Sequence, residues 1–250
     1  MATSGVDLNS SSRSLLLLGG IELRGVPFDS ADRLLAQSKA VALLAYLALA
    51  PAGRYQRRDR LVGLLWPELD QVHARGALRK AVHAVRGALG EDVLVGRGDE
   101  EVMLASDQLS CDAREFTEHA EAGRLLRALE LYGGELMPGF HLAGCADFGS
   151  WLDQQRATAS QCAAAAAWAL ATQYEASKHL TEAGQMARRV MQYEWSDERV
   201  LRRTMLMLDR IGDRAGAIRV FEDFARRLRA ELETEPSGET AALVEKLRRG

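Results

Sequence analysis

Eighteen consecutive residues, 73–90 (HARGALRKAVHAVRGALG), carry Arg75, Arg79, Lys80 and Arg86 but no carboxylate. The chain as a whole is nearly balanced, with 32 basic residues against 35 acidic ones and a formal charge of −3. An acid-free stretch of this length therefore asks for a counterpart. Projected at about 100° per residue, Leu78, Val82, Val85 and Leu89 fall on one narrow stripe, and Arg75, Arg79, His83 and Arg86 lie to its sides. Gly76, Lys80, Ala84 and Gly87 stand opposite the stripe. A helix with a basic, small-residue outer face can approach a phosphate backbone closely, and its arginines can reach base edges in a major groove. On an isolated helix the same face would read as solvated surface. The surrounding sequence decides between the two: from Arg54 to Arg86 there are eight basic residues and three acidic ones, a charge of +5 focused on one part of the chain.

Other residue types that could do chemistry lack the required spacing. The five histidines (His73, His83, His119, His141, His179) form no H-E-x-x-H pair, and the three cysteines (Cys111, Cys145, Cys162) are far apart and odd in number. None of the four lysines follows a glycine, so there is no Walker phosphate loop, and no G-x-S-x-G nucleophile elbow occurs. No enzyme, metal site or cofactor is expected. Trp66, Phe140, Phe148, Trp151 and Trp168 have helical spacing and read as packing residues. Unpaired cysteines, no span of membrane length and no secretory signal point to a cytoplasmic protein.

The elements that must position the basic face follow from local pattern. Residues 1–14 are polar and Ser-rich, a disordered lead-in. Leu15–Leu18 and Ile21–Leu23, bounded by glycines, predict a strand pair or one bent strand. Residues 37–50 predict a helix stopped by Pro51-Ala-Gly53. Asp59 stands as the N-cap of a short helix closed by Trp66-Pro67, and the acid-free helix ends at Gly90. Residues 92–95 and 102–104 flank Gly96-Arg-Gly98-Asp99 as a hairpin. Short strands, three helices and a hairpin, over 15–110, give a winged helix-turn-helix.

Residues 111–250 read as a second, helical domain. Thr181-Glu-Ala-Gly-Gln-Met186 and Asp213-Arg-Ala-Gly-Ala-Ile218 echo one another 32 residues apart, close to a tetratricopeptide period. Leu201, Met205 and Leu208 share a stripe beside Ala217-Ile218-Val220-Phe221, which predicts an antiparallel helix pair with Phe221 buried. The fold class is thus mainly α with a small β component: an N-terminal winged helix followed by a tetratricopeptide-like domain.

Together, "LLLLGGIELRG", "KAVALLAYLALAPAGRYQRRDRLVGLLWPE" and "ARGALRKAVHAVRGALG" resemble the DNA-binding domain of SARP-type (Streptomyces antibiotic regulatory protein-like) bacterial transcriptional activators. The segments "ALELYGGELMPGF", "FGSWLDQQR", "DERVLRRTMLMLDRIGDRAGAIRVFEDFARRLRAELETEPSGET" and "ALVEKLR" resemble their bacterial transcriptional activator domain. The resemblance covers roughly residues 15–248. It implies sequence-specific binding of double-stranded DNA, a homodimer on repeated promoter sites and contact with RNA polymerase. Candidate DNA contacts are Arg57, Arg58, Arg75, Arg79, Lys80, His83, Arg86 and Arg97. The family's wing often carries an aromatic near its second strand, whereas this chain has Asp99-Glu-Glu101, three carboxylates expected to repel phosphate. Larger members continue into ATPase or repeat modules beyond the point where this chain stops. The competing expectation is a protein-interaction adaptor that works through the helical domain, with DNA affinity weak or lost.

Overall fold

A computed structural model of the chain describes residues 13–249. The first described elements are β1 (Ser14–Leu16), β2 (Glu22–Arg24), α1 (Phe28–Leu35), α2 (Ser38–Ala48), β3 (Gln56–Arg57), α3 (Arg58–Leu65) and α4 (Gln71–Leu89). There follow β4 (Leu94–Arg97), β5 (Glu101–Leu104), β6 (Ser110–Cys111), α5 (Asp112–Glu121), α6 (Leu125–Leu131) and α7 (Ala146–Ala176). The chain ends in α8 (Leu180–Tyr193), α9 (Glu198–Arg210), α10 (Arg214–Leu232) and α11 (Gly238–Arg249). This is a winged helix joined to a helical-repeat domain. Most of the expected lead-in lies outside the described residues; Ser14 already belongs to β1 and pairs with Arg24.

The chain divides into two compact units, residues 1–116 with 131–156, and residues 117–130 with 157–250. These units differ from a linear split at 110/111. Residues 131–137 join the first unit because they complete the end of β1: Met137 N–H donates to Leu17 O (2.7 Å) and Gly19 N–H to Glu135 O (2.9 Å). Gly19 has φ +87, and a Cβ there would sit 2.9 Å from the Gly133 carbonyl oxygen, so only glycine allows this approach.

In the first unit, β1 pairs antiparallel with β2 and parallel with β6. The parallel partner comes from nearly a hundred residues away, and local pattern does not reveal it. α2 is apolar all round, with every residue from Ala40 to Ala48 buried, and packs against α1, α3, α4 and β5. α1 was not expected from the sequence. Only Ala31 and Leu34 of its eight residues are buried and Phe28 is exposed, and two turns are too short a window to establish a helical period. The acid-free helix is consequently the fourth. The hairpin forms as β4 and β5, and β3 adds a third antiparallel strand against β5.

Cys111 is fully buried, and loss of solvent pushes its thiol up to about 11. A thiol whose folded pKa is raised contributes stability that is present in full below the unfolded value. The unfolded chain releases that proton near pH ~8.5–9, so the contribution is lost as pH rises to about 11. Wild-type stability in urea titrations should thus fall by ~2–3 kcal/mol more than that of Cys111→Ala between those limits. Parallel profiles would place the thiol in water.

In the second unit, α9 packs against α8 and α10, and α10 and α9 pack against α11. The sequence echo has a physical cause here. Ala183, Gly184 and Ala187 are buried on α8, Gly216 and Ala217 on α10. A Cβ on Gly184 would meet Ile211 at 3.2 Å and one on Gly216 would meet the Asp213 carboxylate, so small residues recur where neighbouring chain approaches closely. Asp213 caps α10 by accepting from Gly216 N–H (2.9 Å). Phe224 is buried in the core, while Phe221 is only partly covered and packs at its edge. The expected helix pair forms, but its aromatic anchor is Phe224.

Candidate nucleic-acid interface

α4 begins at Asp70, whose carboxylate accepts from the backbone N–H groups of Val72 (3.0 Å) and His73 (3.1 Å). It ends at Gly90, where φ of 105 favours glycine. Between these stops Ala74, Leu78, Ala81, Val82, Val85 and Leu89 are buried against α1, α2 and α3. That fixes the helix about its axis. Arg75, Arg79, Lys80 and His83 are exposed, and a Cβ added at Gly76 or Gly87 would meet nothing. The outer face of α4 is open to a partner.

The eight sequence-predicted residues do not share one situation. Arg79, Lys80 and His83 are exposed and make no ion pair among the described residues. Arg75 donates through Nη2 to Asp59 Oδ1 (2.8 Å), which ties α4 to the first turn of α3. Asp59 is therefore not the N-cap of α3; that position is Arg57, with no side-chain cap bond. Arg86 turns inward, donating from Nε (3.2 Å) and Nη2 (2.7 Å) to the Leu94 carbonyl, with Glu91 at 3.7 Å. It holds β4 to the end of α4. Arg97 pairs with Glu101 and stacks 4.6 Å from the centroid of the Tyr55 ring. Arg57 is exposed on β3 and opposite Glu101 in register.

Arg58 differs from all of these. Its backbone N–H donates to Glu100 O (2.8 Å), but its Nε is shut off from solvent and has no hydrogen-bond partner. Burial first, then repulsion from Arg86 and Arg79, lowers its pKa from the ordinary guanidinium value, with Asp99 opposing. Three guanidinium groups from α3 and α4 thus lie close enough beside the wing to repel one another, and two of them, Arg58 and Arg79, make no ion pair among the described residues. Such a cluster can bind an anion.

The acidic wing turn is compensated in part. Glu101 is paired with Arg97, while Glu100 acts on Arg75 and Asp99 on Arg58 through the electrostatic field without an ion-pair contact. Composition alone reads this turn as three equivalent repulsive carboxylates, whereas one of them is bonded to an arginine. The sequence reading missed Tyr55, which orients Arg97, and gave Asp59 a capping role where it orients Arg75. Both act across elements, so no local signal marks them. Among the described residues no cluster of His, Cys, Asp and Glu could hold a metal ion, and no helix is long and apolar enough to cross a membrane.

Comparison with known proteins agrees with this architecture. No curated protein matches the chain. Among solved structures, Mycobacterium tuberculosis EmbR in complex with a low-affinity phosphopeptide superposes with a TM-score of 0.57 at 18% identity, covering 95% of this chain. This chain spans 65% of the length of that one, and at such identity the likeness shows the fold alone. Residues 99–248 match the family described as bacterial transcriptional activator domain. With more than half of its length matched, the chain belongs to the bacterial transcriptional activator domain family.

Proposed function

We propose that this protein is a sequence-specific DNA-binding regulator that inserts the outer face of α4 into a major groove. The observation that carries this reading is the run of Arg79, Lys80 and His83, exposed and without ion pairs among the described residues, beside the partnerless Arg58 Nε. In this reading Arg79 reads a base, and Lys80 and His83 line the groove. Arg57 and Arg58 hold phosphates, and Arg75, Arg86 and Arg97 hold their elements in place at the edge of the contact. Residues 15–110 supply the DNA-reading domain and residues 111–250 the activator domain. The protein acts in the cytoplasm as an activator, binds repeated promoter sites as a homodimer and contacts RNA polymerase.

Binding-site selection with purified protein tests the reading and yields the half-site spacing at once. Arg79→Ala should weaken specific binding by ~1–3 kcal/mol and relax preference at one base position. Arg58→Ala should weaken binding evenly across sequences and reduce the salt slope by about one. Loss of preference in Arg58→Ala with none in Arg79→Ala would reverse the two roles.

The acidic turn supports the adaptor as second reading, because Asp99 and Glu100 offset the charge of Arg58 and Arg75. Neutralising both (Asp99→Asn with Glu100→Gln) should raise affinity for all duplexes alike, by ~0.5–1 kcal/mol per charge at low salt. Unchanged affinity would place the turn away from the duplex. Wild-type protein with no salt-dependent affinity at ~50 mM salt would establish the adaptor instead.

A further inference from the structure

A cavity of about 180 Å³ opens in the first unit between the end of α2, β3, the start of α3 and the first turns of α7. Tyr46 and Trp151 form an aromatic wall, their ring centroids 4.8 Å apart and tilted by 53°. Arg60 places its guanidinium 5.9 Å from the centroid of the Tyr46 ring, and Arg54 stands on the same rim. Neither arginine makes an ion pair among the described residues, and no Asp or Glu lines the cavity. Gln56 and Gln155 complete the polar lining.

Tyr46 is 6% exposed and Gln56 8%, yet the Tyr46 hydroxyl and the Gln56 carboxamide make no hydrogen bond among the described residues. The polar atoms of both groups keep contact with solvent at the cavity wall, where an occupant would take the place of water.

We infer that the cavity binds a monocyclic aromatic carboxylate of the benzoate or salicylate class. The guanidinium groups of Arg54 and Arg60 match a carboxylate in charge and in their planar fork of donors. The Tyr46–Trp151 wall takes the ring in an offset or edge contact. The Gln56 carboxamide and Tyr46 hydroxyl bond the remaining oxygen or an ortho hydroxyl. Size agrees, since an apolar cavity of ~150 Å³ accommodates benzene. A bare phosphate would leave the aromatic wall unused, and a neutral ring would leave two guanidiniums without a counter-charge. This inference does not rest on DNA binding and is tested without DNA.

The test is isothermal titration calorimetry of the full chain at fixed ionic strength with salicylate, benzyl alcohol and inorganic phosphate. Salicylate should saturate one site with a dissociation constant between about 10 μM and 1 mM, the range for a ligand of about ten heavy atoms. Arg54→Gln and Arg60→Gln change exposed side chains, so the fold should persist, and each should weaken salicylate at least about tenfold, one charge-assisted contact. Arg227→Gln, which alters the arginine stacked on Trp195, should leave the affinity unchanged. No saturable heat up to ~10 mM salicylate would overturn the inference, since ligands of this size bind below that level. So would salicylate affinity that survives both arginine substitutions. Benzyl alcohol binding as tightly would remove the anion from the recognition, and phosphate binding as tightly would remove the ring; either outcome overturns the assignment.

Discussion

Asp112→Ala should destabilise the first unit by roughly 3–5 kcal/mol, from three buried backbone amides at ~1–3 kcal/mol each with partial relief by water. The Asp112 carboxylate is buried at the start of α5. Its Oδ1 accepts from Leu17 N–H (2.8 Å) and Ala113 N–H (2.7 Å), and its Oδ2 from Leu18 N–H (3.0 Å). One side chain therefore joins the end of β1 to the segment that follows β6. Burial pushes this carboxyl up, and the three amides pull it down. Its net upward direction means that the charged form is held at a cost, which the amides offset only in part. Asp112→Asn keeps one good acceptor but sets its NH₂ against an amide donor, so it should fall between wild type and Asp112→Ala. Urea unfolding measures both variants. A cost for Asp112→Ala within ±0.5 kcal/mol, the surface range, would mean that water already serves these amides.

Phe224→Ala should cost ~3–5 kcal/mol, the figure for a fully buried phenylalanine. Phe224 is 4% exposed and shares its core with Leu201, Met205 and Leu208 of α9 and with Val244 and Leu247 of α11. Removing the ring leaves a cavity that three helices border, and ridges already in contact cannot close it without moving. Phe221→Ala removes a ring at the edge of the same core and should cost roughly half as much, because part of that surface is already in water. Calorimetric melting of both variants checks the pair. Equal losses would mean that α10 is turned about its axis from the orientation described.

What was legible in the sequence is what depends on neighbours within a few residues. The 4, 3, 4 spacing of Leu78, Val82, Val85 and Leu89 puts them on one buried stripe of α4 and leaves Arg79, Lys80 and His83 outside. Gly90 ends that helix because its backbone conformation suits glycine, and the hairpin follows from its turn residues. The 32-residue echo marks small residues where neighbouring chain comes close, a requirement that repeats with the architecture. α1 escaped this reading because its eight residues span barely two turns, too few for a period to repeat.

Everything that joins distant parts of the chain was decided by the tertiary structure. The parallel pairing of β1 with β6, the carboxylate of Asp112 beneath β1, and the partners of Arg75, Arg86 and Arg97 all link residues that local periodicity treats as independent. Eight basic residues look equivalent in the sequence because charge and spacing are all it displays. In the fold, a guanidinium that reaches a carboxylate, a carbonyl or a ring is held there, and one that reaches none stays available to a partner. Proximity in space sorts them, and helical or strand period carries no information about it.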